Sequence, residues 1–287
     1  MVLRQPVQST GEVIEVSHKV VDYSFARFSE TQLHDMGAVA VGRYLTVITP
    51  ETEGKLLTRA EANSLSAAGI GIVSTFEYTA SDALGGYQQG KEYAALAREQ
   101  HAAAGGPAGR PIYFGVDFDT PDYAPELPNT PEHAHAKLAA IGDYFHGIND
   151  TLGGPHLTGA YGGYWVIKRL FEAGLIGLGW QTVAWSGGQR YPRAAMLQTG
   201  FFGSYDVNDA DVDDFGQWRI GWQPGDPGAG GAPAVPATQV WHKVKPGDTL
   251  AALAAAYGTT VQAIAALNPG LITDVNVIDV GWNIRVK

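Results

Sequence analysis

The chain has no cysteine, which removes disulfide scaffolds, thiolate metal sites and every hydrolase that uses a cysteine nucleophile. It also lacks long apolar runs. Nothing approaches the roughly 18 residues of a membrane span, and the first ten residues carry no apolar export core. No membrane partner is expected. Positive charge is scarce, with 19 Lys and Arg against 29 Asp and Glu, and is nowhere gathered into a stripe. Binding phosphates needs clustered cations, so nucleic acid is not an expected partner. Signature motifs are missing as well: no H-E-x-x-H for a zinc peptidase, no G-x-S-x-G for a serine esterase, and no G-x-G-x-x-G after the first strand-like run. The acidic stretch 206–214 (DVNDADVDD) fails as a calcium loop. Ala210 breaks the register counted from Asp206, and counting from Asp209 puts Asp214 at the glycine and Ile220 at the bidentate glutamate. Its acidic residues read instead as a helix start near 209–217. Neither a metal nor any other cofactor is expected.

What is present is enough for about two domains: 287 residues, 45% of them hydrophobic. Residues 224–237 read PGDPGAGGAPAVPA, and eight of these fourteen are Pro or Gly, which cannot sustain helix or strand hydrogen bonding. The expected division is residues 1–222, a linker over 223–239, and a tail over 240–287. Before the linker, short β-branched or aromatic runs alternate with helical patterns. Strands are expected near 20–24, 38–45, 69–78, 111–119, 157–161, 179–186, 194–199 and 204–207. Helices are expected near 30–36, 59–68, 88–104, 131–149, 163–174 and 209–217. Eight strands alternating with helices imply an α/β fold of the (β/α)8 TIM-barrel type.

In such a barrel the strand ends converge on one face, where active sites form. Asp22, Arg43 with Tyr44, Glu77, Asp117 with Asp119, Gln181 with Trp185, Gln198 and Asp206 all lie at or near strand ends. Asp117 and Asp119 are two apart and project to the same side as Gly115, whose missing side chain leaves room in the mouth. Carboxyl groups that share a pocket raise one another's pKa, and a protonated one beside an ionised one suits acid–base work on a glycosidic bond. Tyr44, Tyr161, Tyr164 and Trp185 suit a sugar cleft, whereas Trp180 reads better as core. Arg43, Tyr44, Tyr161, Gln181, Trp185 and Gln198 are the candidate substrate-binding residues.

The order of Asp22, GRYL (42–45), a strand ending at Glu77, YFGVDFD (113–119), AYGGY (160–164), WQT with AWS (180–186) and DVN…DDFG (206–216) resembles a known family. That family is the glycoside-hydrolase-like barrel of actinobacterial proteins and their phages, related to the family-25 lysozymes (N-acetylmuramidases). The resemblance covers about residues 18–218. It implies a catalytic set of Asp22, Asp117 with Asp119, and Asp206 with Asn208. Asp119 stands where the lysozymes carry a glutamate, one methylene shorter, so Glu77 is the preferred proton donor.

The tail reads strand–helix–helix–strand. Asp248 or Thr249 caps a helix with Leu250, Leu253, Ala254 and Tyr257 on one face, and Thr260 caps a second helix that stops at Asn268-Pro269. With KPGDTL (245–250) and NPG (268–270) it resembles the LysM module, a small βααβ binder of N-acetylglucosamine polymers. That resemblance implies a glycan groove at Gly247, Asp248, Thr249, Leu250, Asn268, Pro269 and Ile272.

The expected function is therefore a peptidoglycan hydrolase cleaving the β-1,4 bond after N-acetylmuramic acid, monomeric and held to the wall by LysM. The rival expectation is a non-catalytic wall-binding or tail-associated protein. Without an apolar export core, the chain is expected to be a phage endolysin, made in the host cytoplasm and reaching the wall on lysis, with export by another route as the alternative.

Overall fold

The computed structural model describes residues 17–120, 131–222, 241–257, 259–268, 271–272 and 274–286. The expected linker and Pro269 lie outside these. Eight strands close into a barrel: β1 (His18–Asp22), β2 (Ala40–Leu45), β3 (Gly71–Phe76), β4 (Ile112–Gly115), β5 (Thr158–Gly162), β6 (Leu178–Thr182), β7 (Ala194–Phe201) and β8 (Asp206–Ala210). Around them run α1 (Glu30–Asp35), α2 (Arg59–Ala67), α3 (Gly86–Ala104), α4 (Pro131–Leu152) and α5 (Tyr164–Glu172). Local chemistry sets several boundaries. Ser29 and Gln32 form a capping box on α1, Thr58 caps α2, and α3 stops at Gly105, whose φ of 98° a side chain would disfavour.

β1 to β7 are mutually parallel, but β8 runs antiparallel to both β7 and β1. No helix separates β7 from β8. The chain reverses over Phe202–Tyr205, with Gly203 at φ 76° and a 2.8 Å bond from Phe202 N–H to Tyr205 O. So short a connection can join only antiparallel strands. The expected helix at 209–217 does not form. Its first residues pair with β1 and β7 instead, Gly216 takes φ 91°, and Asp214 pairs with Arg110. The chain then closes the lower end of the barrel, where Trp218 Nε1 donates to Ser74 Oγ at 3.0 Å and Tyr113 donates to Phe215 O at 2.7 Å.

The barrel interior is filled by Val20, Ala40, Val73, Tyr113, Trp180 and Met196. A second apolar layer lies between barrel and helices, with Leu45, Phe76, Phe114, Tyr144, Ile148 and Ile167 among its members. There α3 and α4 cross in near backbone contact at Gly90 and Gly147: a Cβ on Gly90 would stand 2.0 Å from Tyr144 O, and one on Gly147 2.1 Å from Tyr87 O.

In the tail, β9 (Trp241–Lys243) pairs antiparallel with β10 (Asn283–Arg285), and α6 (Leu250–Tyr257) and α7 (Val261–Leu267) pack beside them. Val244, Leu253, Ile264, Ile284 and Val286 form its core. Thr249 and Thr260 cap the helices, as the sequence implies. Among the described residues, no helix is long and apolar enough to cross a membrane.

The helix crossing yields a test. Gly90→Ala forces α3 and α4 apart and is expected to destabilise the protein by about 3 kcal/mol. Gly142→Ala, also on α4 but with nothing within 4 Å, is expected to stabilise by up to about 1 kcal/mol through helix propensity. Urea unfolding of both variants measures the contrast.

Candidate active site

Strand alternation decides which side chains reach the barrel mouth. Residues in step with the inward-facing Val20, Ala40, Val73, Tyr113 and Ala210 are Asp22, Tyr44, Glu77, Asp117 and Asp206. β8 is reversed, so Asp206 begins its strand rather than ending it and still arrives at the same end as Asp22, its direct partner across the ladder. Two glycines make room. A Cβ on Gly42 would stand 2.6 Å from Asp22 Cβ, and one on Gly115 would stand 3.1 Å from Glu77 Oε2.

Asp22 is 2% exposed. Asn208 Nδ2 donates to its Oδ2 at 2.8 Å and to Val20 O at 3.1 Å, while Asn208 Oδ1 accepts from Trp180 Nε1 at 2.7 Å. Gln198 adds a second side-chain bond to Asp22 and accepts from Tyr161 Oη at 2.8 Å. Burial raises the Asp22 pKa to about 7; these hydrogen bonds oppose the shift and the Asp206 charge adds to it. Burial likewise raises Glu77 to about 7, with Lys55 opposing and Asp117 adding. Asp206 is raised to about 6 by burial and then by Asp117, and Asp117 is itself raised by burial against the pull of Lys55. Tyr44 and Tyr161 are held neutral far above their usual range, first by burial and then by these carboxylates.

Asp22, Glu77, Asp117 and Asp206 thus share one electrostatic neighbourhood with Tyr44, Tyr161 and Gln198. Beside it lies a cleft of about 450 Å³ lined by Asp22, Asp206, Tyr44, Ser24, Tyr205 and Phe201, among others. Among the described residues, no group of three or more His, Cys, Asp or Glu is arranged to hold a metal ion.

Two expected substrate ligands are not in the mouth, and alternation explains both. Arg43 lies one residue out of step with Gly42 and Tyr44 and points outward. It is fully buried, paired with Glu61 at 2.7 Å and bound to the Tyr23 carbonyl. Gln181, beside the inward Trp180, holds the β6–β7 loop through Ser186 Oγ, Gln189 O and Tyr191 N–H. Asp119 is exposed beyond β4. Trp185 is half-buried in the β6–β7 loop at φ 56°, the one positive φ of a non-glycine among the described residues.

Two contributors escaped sequence reading. Lys55 reaches in from a short helical turn after β2, 3.7 Å from Glu77 Oε1 and 5.2 Å above the Tyr44 ring. Asp82 accepts from the Tyr78 and Thr79 amides at 2.7 and 2.9 Å and fixes the turn that follows Glu77. No local motif marks Lys55, whereas an Asp three residues after Thr79 is a recognisable turn signal.

In the tail, Leu250 and Ile272 belong to the core. Asn268 spends its amide on Ile264 O, Arg285 O and Arg285 N–H, and the Asp248 carboxylate accepts from Lys245 N–H at 2.7 Å and meets His242 Nε2 at 2.7 Å. Their side chains are therefore turned inward. Gly247 and Thr249 remain exposed at the groove.

A carboxyl with a pKa raised from 3.8 to about 7 binds its proton more tightly folded than unfolded. The stability it withdraws is absent below about pH 4 and grows as pH rises through 7, to at most ~4 kcal/mol. Asp22→Asn is therefore expected to raise the melting temperature by several °C at pH 8 and to leave it nearly unchanged at pH 4. Calorimetry at both pH values reads this, and an equal gain at the two would show that the buried charge is not what destabilises.

The family model described as "Rv2525c-like, glycoside hydrolase-like domain" matches residues 31–251, and a LysM domain model matches 242–287. Rv2525c of Mycobacterium tuberculosis, whose name gives peptidoglycan hydrolysis as its suggested activity, is 31% identical over 214 residues, covering 69% of this chain and 83% of that protein. Crystal structures of Rv2525c with HEPES and with L-tartrate each align at a TM-score of 0.61 and 30% identity, over 70% of this chain and 98% of theirs. Rv2525c is a Tat-secreted protein. That overturns the expectation of a phage endolysin held in a host cytoplasm and points to export. On the match of the family model and the identity to Rv2525c, the chain belongs to the Rv2525c-like, glycoside hydrolase-like family, here followed by a LysM domain.

Proposed function

We propose that the protein is an exported, monomeric peptidoglycan hydrolase whose barrel, residues 1–222, cleaves the glycan and whose LysM module, residues 240–287 after a linker at 223–239, holds the wall. The observation that carries this reading is the set of inward carboxyls at the barrel mouth, three with pKa values lifted to about 6 or 7. A glycosidase needs one carboxyl protonated and another ionised at the same pH, and unequal burial supplies that difference. The activity of Rv2525c, as its name gives it, agrees with this chemistry.

The bond we assign is the β-1,4 linkage after N-acetylmuramic acid. Glu77 is the proton donor. It has the longer side chain, lies over Gly115, and is kept protonated near neutrality by burial and by Asp117. Its proton passes to the leaving oxygen as the C1–O bond breaks. The N-acetyl oxygen of the same sugar is placed to attack C1 as internal nucleophile, with Asp117 stabilising the positive charge that develops. Water then opens the cyclic intermediate and returns a proton to Glu77. Asp22 and Asp206 hold the neighbouring sugar, Tyr161 and Gln198 fix the carboxylate geometry, and Asp119, exposed, plays a supporting role at most. Trp185, in the β6–β7 loop, is a candidate sugar contact through its half-buried ring. In LysM, Gly247 and Thr249 present the glycan surface, with Asp248, Leu250, Asn268 and Ile272 shaping it. A weak site tethered to the barrel raises the enzyme's concentration on the polymer.

Turbidity loss of actinobacterial walls tests the reading. Wild type is expected to lose lysis on an alkaline limb near pH 7, as Glu77 gives up its proton, and on an acidic limb above the ordinary carboxylate range, as Asp117 takes one up. Glu77→Gln and Asp117→Asn are each expected to lose at least about 100-fold. Mass spectrometry should find muramic acid at the new reducing ends, whereas glucosamine there would replace muramidase by glucosaminidase. Equal, negligible lysis by all three proteins would leave a wall-binding module.

A further inference from the structure

At the Asp22–Asp206 end of the cleft the wall changes character. Phe25, in the loop after β1, is 57% exposed, and Phe201, at the end of β7, is 72% exposed; both line the cleft. Side chains of this size left in water mark an interaction surface rather than packing. Behind them runs a braced row of rings. Phe202 stacks on Tyr205 at 5.4 Å and 15°, Tyr205 meets Phe28 edge-on at 5.5 Å, Phe28 meets Tyr23 at 5.1 Å, and the Arg43 guanidinium covers the Tyr23 ring at 4.6 Å. The buried Arg43–Glu61 pair thus anchors a row of rings ending at the hairpin between β7 and β8.

Facing this apolar wall are the carboxyls of Asp22 and Asp206 and the hydroxyls of Ser24, Ser204 and Tyr205. A ligand with one C–H face and one hydroxyl-bearing edge satisfies both sides: its C–H bonds lie on the negative ring faces while its hydroxyls donate to the carboxylates. No Lys, Arg or His lines the cleft. A carboxylate-bearing sugar brought here would meet two acidic groups without a counter-charge. The cations beyond the wall are already engaged: Arg27 and Arg43 bind the Ser24 carbonyl and pair with Glu61, and Lys55 lies beside Glu77.

The geometry points to a specificity subsite: Phe25, Phe201 and Tyr205 with Asp22 and Asp206 bind an uncharged N-acetylhexosamine of the glycan chain and exclude an acid-bearing one. The inference rests on and deepens the hydrolase reading, since the cleft adjoins the carboxyl cluster that holds Glu77 and Asp117. It sets the register of the substrate, with the neutral sugar at the aromatic end and the lactyl- or peptide-bearing sugar outside it.

Hydrogen–deuterium exchange on the full-length chain separates this site from LysM by position. The N-acetylglucosamine tetramer is expected to protect segments 23–27 and 199–207. Phe201→Leu should lose that protection and Phe201→Tyr should keep it, because the ring and not its bulk makes the contact; Phe201 is too exposed for either change to unfold the barrel. N-acetylmuramic acid, the same sugar bearing a lactyl carboxylate, should protect these segments at least tenfold less than N-acetylglucosamine monosaccharide at equal concentration. Absence of tetramer protection in the wild type, or equal protection by the two monosaccharides, overturns the subsite even if walls are lysed. Protection without lysis upholds the subsite and sinks the hydrolase reading instead.

Discussion

Closing eight strands into a cylinder obliges every second residue to face inward, and near the mouth there is too little volume for those side chains to escape one another. In this protein four of the inward positions are carboxyl groups. Their protonation states follow from that crowding. Water is partly excluded, the charged forms lose hydration, and the groups settle at different affinities for protons because they are buried to different depths. Asn208 and Gln198 shape the outcome by hydrogen bonding Asp22, and Lys55 by placing a positive charge near Glu77 and Asp117. The same network links the floor of the site to the barrel core, since Asn208 also accepts from Trp180.

The reversal of β8 has a consequence for the site. In an all-parallel barrel the last strand would bring its C-terminal end to the mouth. Here a tight hairpin brings the beginning of β8 there, pairing Asp206 with Asp22 and carrying Phe201, Phe202 and Tyr205 to the cleft rim. One change of strand direction therefore supplies both an acidic group and an aromatic wall, while the chain after β8 is left free to plug the lower end with Phe215 and Trp218.

The two modules divide the work by chemistry. The barrel is acidic and its site is built to manage protons, whereas the tail carries four basic residues against three acidic ones and a small core with two capped helices. Most of the tail's signature polar residues, Asp248 and Asn268 above all, are occupied in holding its own loops together. Gly247 and Thr249, by contrast, leave backbone and hydroxyl exposed.

Composition and the alternation of strand and helix patterns carried the architecture, because each records a local preference of the chain. The acidic strand ends were visible for the same reason, and so was the capping of α6 and α7. Arg43 and Gln181 were also polar residues near strand ends, and the error lay in reading position along the strand without its parity; Gly42 and Trp180, their neighbours, already occupied the inward face. The missing helix at 209–217 has a different origin. Acidic clustering favours a helix start, but β1 and β7 paired with its first residues, Asp209 and Ala210, as the end of β8. Lys55 and the row of rings from Tyr23 to Phe202 had no local signature at all. Sequence determined which acidic residues stand at strand ends; tertiary structure alone decided which of them meet, because burial and proximity between residues nearly two hundred positions apart, such as Asp22 and Asp206, exist only once the barrel has closed.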